Sequence, residues 1–283
     1  MGLEQFEGIV VPLVRLARSG FQTSRVGFGT SRLHYLKTSS LRQRLLAEAA
    51  DLGIRHFDTA PCYGDGLAER ELGYFLRSQR ERLIIATKWG IPASRVIEFL
   101  GPFATAGRVG RVAMRRFGVS KRPLPRLTVA LLRQSFDQSR RRLGIDCIDI
   151  LFVHEPNLER IDRPNEIADE LENMRSRGLI ANYGLAGAMR GIRPVVYGTP
   201  NIALILQTSE YDWDNGSDLI PDITFSALAR APQSVFSTGP STASALEALR
   251  SALQRRPNGV VLVSTTNRAH LRDLVQVASE IDR

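Results

Sequence analysis

Four side chains that can donate, accept or stabilise a proton stand at or just beyond the ends of apolar stretches. Asp58 and Lys88 each end such a stretch, and His154 follows a third one. Tyr63 lies in a turn after Asp58, next to Pro61 and several glycines. Because the carboxyl ends of parallel strands meet at one edge of a sheet, we expect these four side chains to lie close together.

The chemistry of these four residue types is complementary. A phenol with a pKa of about 10 is a slow proton donor at neutral pH, and a neighbouring ammonium group favours its phenolate form. We therefore expect Lys88 to lower the pKa of Tyr63, and Asp58 to keep Lys88 charged and oriented. The His154 imidazole could orient a substrate oxygen. This set suits proton exchange with an oxygen whose carbon gains or loses hydride, and the hydride requires a nicotinamide or a flavin.

The rest of the chain is predicted to form repeated units of a strand followed by a helix. Runs of Val, Ile and Leu indicate strands, and apolar residues spaced three and four apart indicate helices. The predicted strands cover 25–30, 54–57, 83–86, 148–153, 180–185, 202–206, 223–225 and 260–263. The predicted helices cover 41–52, 67–76, 129–143, 165–177, 190–197, 244–255 and 269–278. Ser39 or Ser40 is expected to cap the first helix, and Gly144 to end the third.

These units predict an α/β fold, a single (β/α)8 barrel domain over residues 1–283. Nearly continuous apolar strands indicate a parallel sheet that is buried on both faces, and the length suits a barrel of roughly 250 residues with an insertion. A small N-terminal β-hairpin is expected to turn at Ser19-Gly20, and a long inserted loop to follow the third strand. The alternative, a doubly wound sheet, usually needs a Gly-x-Gly-x-x-Gly turn, and residues 27–32 lack its third glycine.

Composition excludes several classes of protein. Of the 283 residues, 43% are hydrophobic and 24% are charged, which is typical of a globular protein. No apolar run reaches the roughly 18 residues of a membrane span, and the N-terminus, with Glu4 and Glu7, does not resemble a signal peptide. Cys62 and Cys147 form no metal-binding or disulfide motif, so we expect neither a metal site nor a disulfide, and a cytoplasmic location. Cys62, beside Tyr63, is either a reactive thiol or a small packing residue.

The net charge of +9 is concentrated in one inserted segment, about 92–126. Its basic residues are Arg95, Arg108, Arg111, Arg115, Arg116, Lys121, Arg122 and Arg126. They could be a solvated surface, steer an anionic cofactor or substrate, or bind a polyanion. Since the segment contains no nucleic-acid-binding module and few aromatic residues, we do not expect nucleic acid as a partner. The segment leaves the sheet edge directly after Lys88, so we expect it to influence substrate choice.

The motifs around the four residues resemble those of the aldo-keto reductases. They read Asp58-Thr-Ala-Pro-Cys-Tyr63-Gly, Lys88-Trp-Gly and His154-Glu-Pro, with Gly27-Phe-Gly-Thr30 and Arg140-Arg-Arg-Leu-Gly144 elsewhere. The similarity extends over nearly the whole chain. It implies a (β/α)8 barrel that binds NADP(H), or less often NAD(H), across the carboxyl end of the strands. It also implies that Tyr63 is the general acid or base, that Lys88 and Asp58 tune its pKa, and that His154 orients the substrate.

The resemblance also implies a set of cofactor-binding residues. They are Gly29, Thr30, Asp58, Gln207, Phe225, Ser226, Leu228, Ser264, Thr265, Arg268 and His270. Phe225 could stack on the nicotinamide or belong to the barrel core, and Arg268 or Arg272 could supply a charge for a phosphate group. Ala186 and Gly187 depart from the pattern, because the family usually has Ser and Asn there to hold the nicotinamide amide.

The sequence therefore predicts an NADP(H)-dependent oxidoreductase that interconverts a carbonyl group and an alcohol. Its substrate is expected to be a small aldehyde, ketone or sugar, and the protein a monomer or weak oligomer. Two alternatives stay open at this point. One is an NAD-dependent sugar dehydrogenase. The other is a cofactor-binding regulatory relative with little catalysis, which the loss of polar side chains at Ala186 and Gly187 suggests.

Overall fold

The centre of the computed structural model is a closed barrel of eight parallel strands, β3 to β10, in chain order with β10 paired to β3. The structure describes residues 11–93, 124–213, 218–230 and 242–281. The strands are β1 Leu13–Arg15, β2 Gln22–Ser24, β3 Val26–Gly29, β4 His56–Asp58, β5 Ile84–Trp89, β6 Ile148–His154, β7 Ile180–Gly187, β8 Ile205–Ser209, β9 Ile223–Phe225 and β10 Val260–Val263. The predicted (β/α)8 barrel is confirmed.

Helices follow the barrel strands on the outside. They are α1 Ser39–Asp51, α2 Leu67–Leu76, α3 Val129–Leu143, α4 Pro164–Ser176, α5 Met189–Gly198, α6 Thr242–Arg255 and α7 Arg268–Ile281. As predicted, α3 ends at Gly144, which takes a left-handed conformation (φ 66°). The expected cap of α1 was wrong by one residue: the side chain of Thr38 accepts the hydrogen bond from the Leu41 N–H.

The predicted N-terminal hairpin is confirmed and closes one end of the barrel. Strand β1 pairs with β2 in antiparallel register, with Val14 opposite Thr23. Val14 and Leu16 are buried in the same interior cluster as Ile150 and Val260 of the barrel strands. The hairpin therefore covers the end of the barrel at which the strands begin and leaves the carboxyl ends of the strands open.

The sixth barrel strand begins later than the sequence predicts. The run 202–206 predicted a strand, but β8 is Ile205–Ser209, and Ile202 ends a short 3-10 turn, Pro200–Ile202. The N–H of Ile202 donates to the carbonyl of Thr199, so this N–H is not available to a β ladder. The shift pairs Gln207 with Ala186 of β7.

The long connection expected after the third barrel strand lies between β5, which ends at Trp89, and α3, which begins at Val129. Most of the predicted basic insertion, 94–123, lies outside the described residues. Among the helices in the described ranges, none is long and apolar enough to span a membrane.

Gly184 of β7 is required by the close approach of its neighbour β8. A Cβ atom at this position would lie 1.9 Å from the carbonyl oxygen of Ile205. We predict that Gly184→Ala lowers the free energy of unfolding by about 3 kcal/mol or more, because the two strands must separate. Gly198→Ala is the control, because its Cβ would meet only Leu158 at an ordinary 3.7 Å. Urea unfolding checks this, and equal midpoints for both variants would contradict it.

His56 makes the stability of the barrel sensitive to acid. It is fully buried on the same face of β4 as Asp58, and neither of its ring nitrogens has a hydrogen-bond partner in the described part of the chain. Burial lowers the pKa of His56 to about 4, although Asp58 partly opposes this effect. Because the unfolded chain binds this proton near pH 6.5, stability is lost as the pH falls from about 6.5 to 4.

We predict that this group alone contributes on the order of 3 kcal/mol to the loss of stability between those two pH values. In His56→Leu, the decrease in unfolding free energy over this range should therefore be smaller by a similar amount. Thr224→Val, at a buried barrel position that carries no titratable group, should keep the pH dependence of the unmodified protein. Denaturant unfolding at a series of pH values measures both, and identical slopes in the two variants would refute the assignment.

Candidate active site

The predicted catalytic side chains lie together in a cavity of about 560 Å³ at the carboxyl end of the barrel strands. Asp58, Tyr63, Lys88 and His154 all line it. Three strands carry Asp58, Lys88 and His154, whereas Tyr63 lies in the loop between β4 and α2. The loop is tightly folded, since the N–H of Tyr63 donates to the carbonyl of Ala60 at 3.0 Å. The expectation that the four groups lie close together is confirmed.

Asp58 and Lys88 form a buried ion pair at the base of this cavity. The distance from Lys88 Nζ to Asp58 Oδ1 is 2.6 Å, and Nζ also donates to the carbonyl of Thr59 at 2.8 Å. Burial alone lowers the pKa of Lys88, but Asp58 and Tyr63 outweigh burial and hold the pKa above its usual value. The second carboxylate oxygen of Asp58 accepts a hydrogen bond from Gln207 Nε2 at 3.1 Å. The ammonium group is therefore charged and fixed in place.

Tyr63 lies between this ion pair and His154. Lys88 Nζ is 5.0 Å from the centre of the Tyr63 ring, and the His154 ring is perpendicular to it with centroids 6.2 Å apart. Burial raises the pKa of Tyr63 to about 12, while Lys88 acts in the opposite direction. Lys88 lowers this pKa as expected, but desolvation exceeds the effect of the ammonium group, so the pKa lies above its usual value. The phenol is protonated at neutral pH.

His154 is uncharged at neutral pH. Burial, together with the positive charges of Lys88 and Arg160, lowers its pKa to about 3. A neutral imidazole has one N–H donor and one nitrogen acceptor. His154 can therefore donate a hydrogen bond to a substrate oxygen only if the nitrogen that faces the cavity carries the proton.

Most of the expected cofactor-binding residues line the same cavity. They are Gly29, Asp58, Gln207, Phe225, Ser226, Leu228, Ser264, Thr265 and His270. Thr30 does not line it: its hydroxyl group is buried and donates to the backbone carbonyl of Asp58 at 3.0 Å. Arg268 does not line it either, because its guanidinium group pairs with Glu48 of α1, as does that of Arg272.

Two features of the cavity wall fit a nicotinamide group. Gln207 Oε1 is buried and has no hydrogen-bond partner in the described ranges, so it can accept a hydrogen bond from a carboxamide. Phe225 packs partly against the interior core and also lines the cavity, where it could contact the ring. At Ala186 and Gly187, in contrast, the wall has no polar side chain.

Two charged cavity residues escaped the sequence analysis. Arg32 follows the glycine motif Gly27-Phe-Gly-Thr30 by two residues, and this position next to the motif was the available signal. Glu155 follows His154 directly and has a left-handed backbone (φ 50°), which is uncommon for a residue with a side chain. Its carboxylate accepts from the N–H of Ala188 at 3.4 Å. Only the fold shows that this carboxylate reaches the cavity.

No group of three or more metal-binding side chains occurs in the part of the chain that the structure describes. Asp58, the acidic residue that the sequence predicts at the site, already has hydrogen-bond partners within the protein. Asp58 is bound to Lys88 and Gln207.

Comparison with known proteins agrees with this geometry. The model of the aldo/keto reductase family matches residues 25–193. D-threo-aldose 1-dehydrogenase from Pseudomonas sp is 27% identical over 79% of this chain and 69% of its own length. L-galactose dehydrogenase from Arabidopsis thaliana is 30% identical over 62% of this chain, and the match spans 49% of that protein.

Solved structures share the fold. An aldo-keto reductase from Klebsiella pneumoniae in complex with NADPH superposes with a TM-score of 0.68 at 18% identity, covering 95% of this chain and 90% of the other. The glycerol dehydrogenase from Gluconobacter oxydans gives a TM-score of 0.69 at 18% identity, covering 94% and 89%. The family match spans more than half of the chain and includes three strands that carry the polar cavity residues. The chain belongs to the aldo-keto reductase family and is an oxidoreductase.

Proposed function

We propose that this chain is an NADP(H)-dependent oxidoreductase that interconverts a carbonyl group and an alcohol, with Tyr63 as the general acid or base. The observation that carries the proposal is the position of the Tyr63 phenol between the Asp58–Lys88 ion pair and a neutral His154 in one cavity. NADP(H), when bound, would supply or accept the hydride. The residues of the chain handle the proton.

In the reducing direction, Tyr63 holds a proton on its phenol oxygen and passes it to the oxygen of the substrate. The Lys88 ammonium stabilises the phenolate that remains, and Asp58 keeps that ammonium charged in the buried site. His154 orients the substrate oxygen. In the oxidising direction the same groups act in reverse, and Tyr63 accepts the proton.

The residues that would hold the cofactor lie on two sides of the cavity. Gln207 would accept a hydrogen bond from the nicotinamide carboxamide, and Phe225 would contact the ring. Arg32, Thr265 and His270 would bind phosphate oxygens. NADP(H) is preferred in this proposal over NAD(H) because of Arg32 and the net charge of +9, and because the related structure from Klebsiella pneumoniae holds NADPH.

The other cofactor-binding residues that the sequence predicts divide into those that would contact the cofactor and those that would not. Gly29, Ser226, Leu228 and Ser264 would form the wall against the cofactor, and Thr30 would support Asp58 from behind. Arg268 and Arg272 are held by Glu48, so a cofactor phosphate would have to compete with this carboxylate for them. The proposed substrate is a small aldehyde, ketone or sugar. The names of the related D-threo-aldose and L-galactose dehydrogenases support a sugar.

A second candidate function rests on the apolar wall at Ala186 and Gly187. If the nicotinamide is held without polar contacts there, the chain could bind the cofactor as a sensor and catalyse little. This alternative requires tight binding of NADPH together with no turnover of any aldehyde, ketone or sugar. Steady-state assays with a broad panel of such substrates separate it from the leading proposal.

We predict that Tyr63→Phe lowers kcat about 100-fold or more, because the proton donor is lost while the ring remains. NADPH binding, followed by the change in its fluorescence, should stay within about twofold of the unmodified protein. Tyr74→Phe is the matched control, because Tyr74 is exposed on α2 and distant from the chemistry. Equal turnover in Tyr63→Phe and Tyr74→Phe would overturn the proposed role.

A second prediction concerns the cofactor charge. Arg32→Ala should raise the Kd for NADPH about three- to tenfold in low-salt buffer, because an exposed charge-assisted hydrogen bond is lost. Arg44→Ala, which removes an exposed arginine of α1 that does not line the cavity, should leave the Kd unchanged. Fluorescence titration measures both values, and equal affinities in the two variants would remove Arg32 from the site.

A further inference from the structure

Cys62 contacts His154, one of the proposed catalytic residues, but has no role in the proposed proton transfer. Its Sγ lies 3.8 Å from Nδ1 of His154, within hydrogen-bonding distance for sulfur. The residue directly precedes Tyr63 in the loop between β4 and α2. In the part of the chain that the structure describes, this thiol is the hydrogen-bond partner of His154 Nδ1.

We infer that Cys62 is a positioning residue whose thiol proton is donated to Nδ1 of His154, so that the imidazole keeps its own proton on Nε2. The inference rests on the proposed function, because it concerns the substrate oxygen to which Nε2–H would donate. It assigns the tautomer of His154, which decides whether this side chain can act as a donor at all.

The position of the thiol is held by the backbone of its loop. The N–H of Gly66 donates to the carbonyl of Pro61 at 2.8 Å, and the N–H of Asp65 donates to the carbonyl of Cys62 at 3.4 Å. The same turn holds Tyr63, whose ring is perpendicular to that of His154. Cys62 and Tyr63 therefore approach the imidazole from one short segment with a hydrogen-bonded backbone.

The protonation states favour one direction for this hydrogen bond. The imidazole is neutral, because burial and the charges of Lys88 and Arg160 lower the pKa of His154. The thiol is protonated, because burial raises the pKa of Cys62 to about 12. In the other tautomer, Nδ1–H would face sulfur, which is a weak acceptor, and Nε2 would have no proton to donate.

The tautomer has a direct consequence for reduction. With the proton on Nε2, a carbonyl oxygen in the cavity would receive hydrogen bonds from two donors, the Tyr63 phenol and the His154 imidazole. With the proton on Nδ1, the unprotonated Nε2 would face the carbonyl oxygen with a lone pair, and the two groups would repel each other. The inference also favours packing and positioning over reactivity for Cys62, since a protonated thiol is a poor nucleophile.

The test measures the tautomer directly by 15N NMR of protein labelled only at histidine. The chain has four histidines, and His154→Gln identifies the signal of His154. We expect Nε2 to be protonated and Nδ1 to be an acceptor in the unmodified protein. Cys62→Ala should give a mixture of tautomers, and Cys62→Ser should restore the original one, because a hydroxyl group can also donate to Nδ1.

Steady-state kinetics provides the second readout. Cys62→Ala should lower kcat about three- to tenfold with little change in the affinity for NADPH, and Cys62→Ser should recover most of this loss. Cys147→Ser, at the other cysteine of the chain and outside the cavity, should leave both readouts unchanged.

The outcomes that overturn the inference are distinct from failure of the proposed function. A protonated Nδ1 in the unmodified protein, or identical His154 signals in the unmodified protein and Cys62→Ala, would refute it. Both observations are made on the free protein, so they do not depend on turnover. If no carbonyl substrate is reduced at all, the proposed function fails, whereas the measured tautomer still decides the role of Cys62. If Cys62→Ala does not fold, Cys62→Val, which has a similar volume and no donor, takes its place in the comparison with the unmodified protein.

Discussion

The ion pair between Lys88 and Asp58 is the constraint on which the rest of the site depends. Two buried charges 2.6 Å apart stabilise each other only if their remaining hydrogen-bonding groups are also satisfied. The structure meets this condition with the carbonyl of Thr59 and with Gln207, which reaches Asp58 from β8. One carboxylate thus connects β4, β5 and β8 at the carboxyl end of the barrel. Removal of either charge would leave the other buried and uncompensated, at a cost of roughly 3–5 kcal/mol.

Around this pair, the phenol of Tyr63, the thiol of Cys62 and the imidazole of His154 are neutral. Burial raises the pKa of Tyr63 and of Cys62 to about 12, and burial with neighbouring positive charges lowers the pKa of His154 to about 3. The same low polarity that makes the ion pair costly therefore provides a phenol with its proton in place and an imidazole with one donor. This arrangement suits the transfer of a single proton to an oxygen better than nucleophilic catalysis, which requires a deprotonated thiol or hydroxyl group.

On the side of the cavity that would hold the cofactor, some wall positions offer a hydrogen-bonding side chain and others do not. Gln207 offers a buried acceptor, but Ala186 and Gly187 offer no side-chain hydrogen bond. The absence of a side chain at Gly187 admits Glu155, whose carboxylate oxygen lies 3.0 Å from the position of a Cβ atom there. The charged side chain that follows β6 thus lies beside the part of β7 that carries no polar side chain, next to the register pair of His154 and Ala186.

Local sequence patterns predicted most strands and helices of the barrel, because the periodicity of apolar residues depends on neighbours in sequence. The bounds of α2, α3 and β10 follow from apolar spacing and from glycine, and the four catalytic candidates follow from the ends of the strands. Only the tertiary structure decided features that depend on residues distant in sequence. These are the later start of β8, the pairing of Arg268 with Glu48, and the position of Glu155 at the cavity. It also decided the pKa of Tyr63, in which desolvation exceeds the expected effect of Lys88. Desolvation depends on all the atoms that surround a group, and the sequence of one strand does not contain them.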